Sequence, residues 1–170
     1  MNILVKSCLC AGIFSTLGFA SDDVDRIGQP APKIKAIDQN ENEVDFEALY
    51  KKGTVMVFFY PKANTPGCTA QACSLRDAYE DLTSEGVTVV GVSTDSAKAQ
   101  KRFEDQYKLP FTLVADSDKK VVKAFGVPTT MGFAKRQAFL IKDGIIVWYD
   151  SSASTEKQAA DVKEQLKKLK

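Results

Sequence analysis

Two cysteines, Cys68 and Cys73, lie five residues apart and are the side chains best suited to covalent chemistry. A cysteine acts as a nucleophile in its thiolate form, yet an ordinary thiol is only a few per cent ionised at neutral pH. The sequence contains no histidine, which excludes Ser-His-Asp and Cys-His catalysis and every metal site that needs imidazole. Activation of a cysteine must therefore come from the backbone or from another charged side chain.

The residues before Cys68 predict the start of a helix. Thr65 is a residue type that favours the N-cap position, and Pro66 is typical of the first helical position. Cys68 is then the third residue of the helix, where unpaired N–H groups and the positive end of the helix dipole favour a thiolate. The local sequence thus predicts an activated cysteine.

The spacing of the two cysteines favours a disulfide that forms and breaks during a reaction. If Cys68 and Cys73 share a regular helix, their Cα atoms are roughly 8–9 Å apart. A disulfide requires about 4.4–6.8 Å, so the first helical turns would have to unwind. One alternative remains open, a stapled binding domain in which Cys68→Ser would unfold the protein.

Composition indicates one soluble globular domain. The chain has 170 residues, of which 44% are hydrophobic and 26% are charged, both ordinary proportions. Lys and Arg number 23 against 22 Asp and Glu, and this balance does not favour a nucleic-acid partner. Without histidine, we expect neither a metal nor a bound cofactor.

The first twenty residues have the layout of a secretory signal peptide. Lys6 precedes an uncharged, mostly apolar stretch over residues 7–19, and the small residues Gly18 and Ala20 occupy positions −3 and −1 of a cleavage site. The apolar stretch is short for a membrane span of about 20 residues. We predict cleavage after Ala20, export to the periplasm or outside the cell, no stable membrane association afterwards, and a single domain over residues 21–170.

The order of predicted elements indicates an α/β fold. Apolar runs at residues 54–60 and 87–93 predict strands that are buried on both faces. The other predicted elements are short strands at 34–37, 43–46 and 111–115, a hairpin of 137–141 with 145–149, and helices at 65–85, 96–107, 119–125 and 155–170. This order predicts a thioredoxin-like sandwich, with a mixed central β-sheet flanked by helices.

The stretch from Phe59 to Cys73 resembles the active-site motif of peroxiredoxins. Pro61, Thr65 and Cys68 match the family pattern Pro-x-x-x-Thr/Ser-x-x-Cys, and the run Thr-Pro-Gly-Cys-Thr-x-x-Ala-Cys is similar to the bacterioferritin comigratory protein, or peroxiredoxin Q, subfamily. Segments 91–95 and 136–141 also resemble that subfamily. The likeness covers about residues 27–168.

The resemblance implies a thiol-specific peroxidase for hydrogen peroxide and organic hydroperoxides. Cys68 would form a sulfenic acid, and Cys73 would resolve it as an intramolecular disulfide. Pro61 would shield the thiolate from water, Thr65 would hydrogen-bond the sulfur and the peroxide, and Arg136 would hold the thiolate and polarise the O–O bond.

The resemblance also implies a recycling partner, which would be thioredoxin or a similar dithiol reductant acting on a monomer or weak homodimer. Arg76 remains an alternative to Arg136 as the cation nearest Cys68. The alternative function is an exported thiol-disulfide oxidoreductase. Such proteins use Cys-x-x-Cys and a proline before the facing strand, whereas residues 134–137 contain no proline.

Overall fold

The computed structural model describes residues 26–169, in which helices cover both faces of a five-stranded sheet. The predicted signal peptide, residues 1–20, lies outside this range. The elements in chain order are β1 (Lys35–Ile37), β2 (Glu43–Asp45), α1 (Phe46–Tyr50), β3 (Thr54–Phe59), α2 (Pro66–Asp77), α3 (Tyr79–Ser84), β4 (Val87–Ser93), α4 (Ala97–Tyr107), β5 (Thr112–Ala115), α5 (Lys120–Ala124), β6 (Thr129–Thr130), β7 (Phe133–Ala134), β8 (Gln137–Lys142), β9 (Ile145–Asp150) and α6 (Gln158–Lys168).

Strand β3 is the centre of the sheet, whose order is β5-β4-β3-β8-β9. It runs parallel to β4 and antiparallel to β8. Residues 55–59 are fully buried, as expected for β-branched and aromatic side chains in a central strand. The sheet is therefore mixed, and the predicted thioredoxin-like sandwich is confirmed.

Alternation along β3 divides the core into two apolar clusters. Met56 and Phe58 face one cluster, which also contains residues of α2, α3, α4 and α6. Val55, Val57 and Phe59 face the other, which is closed by α1 and α5. Because successive strand residues point to opposite faces, strand β3 packs against the helices on both sides of the sheet. Cys68 belongs to the first cluster.

The single helix predicted over residues 65–85 is wrong, because the structure contains two helices there. The chain leaves helical geometry at Ala78 (φ −101°, ψ 9°) and resumes it in α3. Neither proline nor glycine stands at this break, so no residue type indicates it in the sequence. The break lies after both cysteines, and the expectation that they share one helix is confirmed.

Two other predictions are corrected. Helix α6 begins at Gln158 rather than at residue 155, because the Ser154 hydroxyl accepts hydrogen bonds from the N–H groups of Glu156 and Lys157 and holds them in a turn. The short hairpin of β6 and β7 was not predicted. Its strands have two residues each, too few for a periodic pattern.

Turn and cap chemistry account for the elements that were predicted correctly. The β8–β9 hairpin closes through Asp143 and Gly144, whose φ angles are 52° and 77°. Two positive φ angles are the requirement of a type I′ turn. Ser96 caps α4 by accepting a hydrogen bond from the N–H of Ala99, as its residue type predicts.

The close contact of β4 with its neighbours yields a stability prediction. A Cβ atom at Gly91 would lie 2.7 Å from Cζ of Phe58 and 2.9 Å from Cδ2 of Leu113. Both side chains are fully buried, so Gly91→Ala is expected to lower the free energy of unfolding by about 1–3 kcal/mol, as overpacking does. Equilibrium unfolding in urea measures this change in free energy. Thr88→Ala, at a half-buried position of the same strand, is the control, and an equal loss in both variants would contradict the steric argument.

Candidate active site

Helix α2 presents Cys68 at its N-terminus. Thr65 has the extended backbone of an N-cap (φ −97°, ψ 151°), and Pro66 is the first helical residue. The first intrahelical hydrogen bond joins the N–H of Thr69 to the carbonyl of Thr65 at 2.8 Å. The N–H groups of Gly67 and Cys68 therefore have no acceptor within the helix. They provide the positive environment at the sulfur that the sequence predicts.

The cation at the Cys68 sulfur is Arg136. Its Nη2 donates a hydrogen bond to Sγ of Cys68 at 3.3 Å. Gln137 pairs with Phe59 in the sheet, so Arg136 lies just beyond the carboxyl end of β3, where α2 begins. The antiparallel pairing of β8 with β3 thus joins two residues that are 68 positions apart in the sequence.

The charge of Arg136 is not neutralised by a carboxylate. Among the ion pairs between residues 26 and 169, none includes Arg136. Its Nη1 donates instead to the amide oxygen of Gln71, a fully buried residue of α2. A neutral amide orients the guanidinium without offsetting its positive charge.

Gly67 makes room for this contact. A Cβ atom at this position would lie 3.3 Å from Nη2 of Arg136 and 3.3 Å from Cγ2 of Thr155. Any larger residue would press on the guanidinium that contacts Cys68. The glycine of the Thr-Pro-Gly-Cys run is therefore explained by space, since its backbone is ordinary helix.

A buried polar network holds the loop between β3 and α2. The carboxylate of Asp95 accepts hydrogen bonds from the N–H of Ala63 at 2.8 Å and from the Ser93 hydroxyl at 2.7 Å. The Gln100 amide donates to the same hydroxyl and accepts from the Tyr60 hydroxyl. Burial raises the pKa of Tyr60 far above its usual range, so it stays a neutral phenol beneath the site.

Both cysteines of the described chain are free thiols on the same helix. Cys68 is 1% exposed, whereas Cys73 is half-buried. A separation of five helical positions gives a Cα distance of roughly 8–9 Å, which exceeds the range for a disulfide. In this conformation the two sulfurs cannot bond, and a disulfide between them would require the backbone of α2 to move.

The other residues considered in the sequence analysis take different places. The hydroxyl of Thr65 donates to the carbonyl of Lys62 at 2.9 Å, not to the Cys68 sulfur, and it makes no side-chain cap bond. Pro61 is half-buried in the β3–α2 loop. Arg76 binds Asp77 and the carbonyl of Tyr107. The alternative of Arg76 as the cation on Cys68 is thus set aside in favour of Arg136.

The residues that support the site rather than form it were not predicted from the sequence. Gln71, three positions after Cys68, could have been noticed as a polar side chain on the cysteine's side of the helix. Asp95 follows a buried strand, which is a usual place for site residues. Gln158 had no signal at all, because its contact with Gln71 joins elements 87 residues apart.

Comparison with known sequences assigns the family. The profile of the AhpC/TSA family matches residues 27–149. A chloroplastic peroxiredoxin Q of Sedum lineare is 37% identical over 147 residues, which cover 84% of this chain and 78% of that protein. A putative peroxiredoxin bcp of Coxiella burnetii is 41% identical over 132 residues, or 72% of this chain and 87% of that protein. The chain therefore belongs to the AhpC/TSA family.

Solved structures agree with this assignment. Peroxidoxin BcpB of Mycobacterium tuberculosis superposes with a TM-score of 0.80 at 29% identity, covering 85% of this chain and 98% of that one. A cysteine mutant of PrxQ from Xylella fastidiosa gives 0.78 at 27% identity, covering 84% and 96%. The chain is a thiol peroxidase of the peroxiredoxin Q and bacterioferritin comigratory protein group, which reduces peroxides at the expense of a thiol reductant.

Proposed function

We propose that this peroxidase reduces hydrogen peroxide and organic hydroperoxides in a cycle in which Cys68 is oxidised first and Cys73 then forms a disulfide with it. The contact of 3.3 Å between Arg136 and the Cys68 sulfur carries the proposal. It brings a positive charge to a sulfur that lies in the first turn of a helix. Both features favour the thiolate, which is the nucleophile.

In the first step, the Cys68 thiolate attacks the terminal oxygen of the peroxide. The S–O bond forms as the O–O bond breaks, which leaves a sulfenic acid and, after protonation of the leaving oxygen, water or an alcohol. Arg136 stabilises the negative charge that develops on the oxygens. The Thr65 hydroxyl donates to Lys62 and keeps lone pairs that can accept the peroxide O–H, while Pro61 restricts water at the sulfur.

In the second step, the Cys73 thiol displaces the hydroxyl of the sulfenic acid, giving a disulfide and water. The two sulfurs meet after the first turns of α2 unwind, because the folded helix holds them too far apart. In the third step, an external dithiol such as thioredoxin reduces the disulfide by exchange and is itself oxidised. The cycle uses no bound cofactor or metal.

The cellular location is a further part of the proposal. Residues 1–20 have the layout of a signal peptide, and within residues 26–169 no helix is long and apolar enough to cross a membrane. We propose export to the periplasm or outside the cell, where the chain acts as a monomer or weak homodimer. The reductant would then be a dithiol protein of the same compartment.

The order of the two cysteines is tested by stopped-flow reaction of the reduced protein with hydrogen peroxide. We expect the wild type to end as an intramolecular disulfide and Cys73→Ser to stop at the sulfenic acid. Cys68→Ser should stay folded, as judged by circular dichroism, and lose the reaction with peroxide, since a serine hydroxyl is not ionised at neutral pH. Peroxide consumption by Cys68→Ser at the wild-type rate would end the proposal, and its unfolding would favour a structural staple.

Arg136 is tested against its neighbour Lys135, which is exposed. Arg136→Met should lower the second-order rate constant with peroxide by about 10²–10³-fold, as loss of one fixed donor does. The rate constant of Arg136→Lys should lie between those of the wild type and Arg136→Met, because an ammonium keeps the charge but not the paired donors of a guanidinium. Lys135→Met removes the same charge one residue away and should stay within about twofold of wild type. Equal losses at both positions would show that only net charge matters.

Export is tested by expressing the full chain in a Gram-negative host. The periplasmic fraction should contain a protein whose first residue is Ser21, and Ala20→Phe should block cleavage because the −1 position requires a small residue. Recovery of the intact chain, beginning at Met1, in the cytosol alone would contradict export. It would leave the peroxidase chemistry untouched.

A further inference from the structure

One face of α2 is held by residues 155–159, called here the α6 lead-in. Gly67, Gln71 and Ser74 are spaced four and three positions apart, so they lie on one side of the helix. Two of them bind the α6 lead-in. Nε2 of Gln71 donates a hydrogen bond of 2.8 Å to Oε1 of Gln158, and the Ser74 hydroxyl accepts one of 3.3 Å from the N–H of Ala159. Gly67 faces the Thr155 methyl, which would lie 3.3 Å from a Cβ atom at this position.

The central contact of this stripe joins two buried amides. Gln71 and Gln158 are both fully buried. Gln71 uses its amide oxygen for Arg136 and its amide nitrogen for Gln158, while Nε2 of Gln158 has no partner within the described residues. Gln158 thus contributes only its oxygen, and a chain of polar contacts runs from the Cys68 sulfur through Arg136 and Gln71 to the C-terminal helix.

Gln71 lies between the two cysteines. When the first turns of α2 unwind so that Cys73 reaches oxidised Cys68, Gln71 must leave its position and lose both partners. The hydrogen bond to Gln158 therefore exists in the conformation that attacks peroxide and is absent in the conformation that forms the disulfide. An interaction made in only one of two states shifts the equilibrium between them.

We propose that Gln158 is a positioning residue of the peroxidase, which holds α2 folded through Gln71 and thereby sets the rate at which oxidised Cys68 reaches Cys73. The proposal rests on the cycle proposed above. Gln158 touches neither the substrate nor the sulfur, and it acts on the second step of the cycle alone.

This rate decides between two fates of the sulfenic acid. Attack by Cys73 gives the disulfide and water, and it does not depend on peroxide concentration. If the sulfenic acid instead attacks a second hydroperoxide molecule, the products are sulfinic acid and water or an alcohol, with the sulfur oxidised and the peroxide reduced. A helix held more firmly by Gln158 gives the second reaction more time. Gln158 therefore tunes the peroxide concentration at which the enzyme inactivates itself.

The test is Gln158→Met, which keeps the volume of the side chain and removes the acceptor. It deletes the unpaired Nε2 of Gln158 and leaves Nε2 of Gln71 unpaired in its place. The number of unpaired buried donors is therefore unchanged, but Nε2 of Gln71 can hydrogen-bond to water once α2 unwinds. We expect global stability close to wild type and disulfide formation about three- to tenfold faster, the factor that corresponds to one hydrogen bond.

Single-turnover quenched flow with mass spectrometry separates the steps. The sulfenic acid appears at a rate proportional to peroxide, and the disulfide appears at a first-order rate. In Gln158→Met only the first-order rate should rise, and the peroxide concentration at which half of Cys68 becomes sulfinic acid should rise by the same factor. In a Gln71→Met background, adding Gln158→Met should change nothing further, because the two residues act as one pair.

Val162→Ala is the control for general loosening of α6. Val162 is a fully buried residue of α6, and its truncation lowers global stability but leaves the two amides in place. Equal disulfide rates in wild type and Gln158→Met, an equal rise in Val162→Ala, or an additive effect in the Gln71→Met background would each overturn the role of Gln158. A wild type that forms neither sulfenic acid nor disulfide would instead overturn the proposed cycle.

Discussion

Helix α2 has to meet two requirements that no single conformation can satisfy. Folded, it places Cys68 in its first turn, at the positive end of the helix dipole, and brings the sulfur to Arg136. The same regular geometry keeps Cys73 too far away for a disulfide. In the proposed cycle, contacts that hold α2 folded delay the disulfide that follows the attack on peroxide. The stability of the first turns of α2 would then determine a reaction rate as well as a structure.

The central sheet supplies the fixed half of the site. The fully buried strand β3 determines where α2 starts, and pairing with β8 determines where Arg136 stands. The Asp95 carboxylate adds a second anchor by binding the N–H of Ala63 in the intervening loop. The cation is therefore held by the rigid core, while the cysteine is held by a helix end. In the proposed cycle, the sulfur leaves Arg136 when α2 unwinds, so the charge that assists the attack no longer acts on the oxidised sulfur.

Sequence predicted the parts of this arrangement that depend on local chemistry. The buried strands, the Ser96 cap, the Asp143–Gly144 turn and the start of α2 each follow from residue types within a few positions. The break at Ala78 and the β6–β7 hairpin did not follow, since no proline, glycine or periodic pattern indicates them. The contact of Arg136 with the Cys68 sulfur agrees with what the family resemblance implied, whereas Thr65 donates its hydroxyl hydrogen to the carbonyl of Lys62 rather than to the sulfur. The catalytic roles of Cys68 and Cys73 stay predictions.

The residues that the sequence did not indicate are those whose role depends only on tertiary contacts. Gln71 and Gln158 are ordinary amides in the sequence, and only their burial and their hydrogen bond give them a role. A buried amide with an unpaired nitrogen is costly, yet Gln158 keeps one within the described part of the chain. An apolar side chain of similar volume would transfer that cost to Nε2 of Gln71, which now donates to Gln158, and would no longer hold Gln71 in place. In the proposed role of Gln158, the polar pair therefore changes the balance between attack and resolution rather than the stability of the fold.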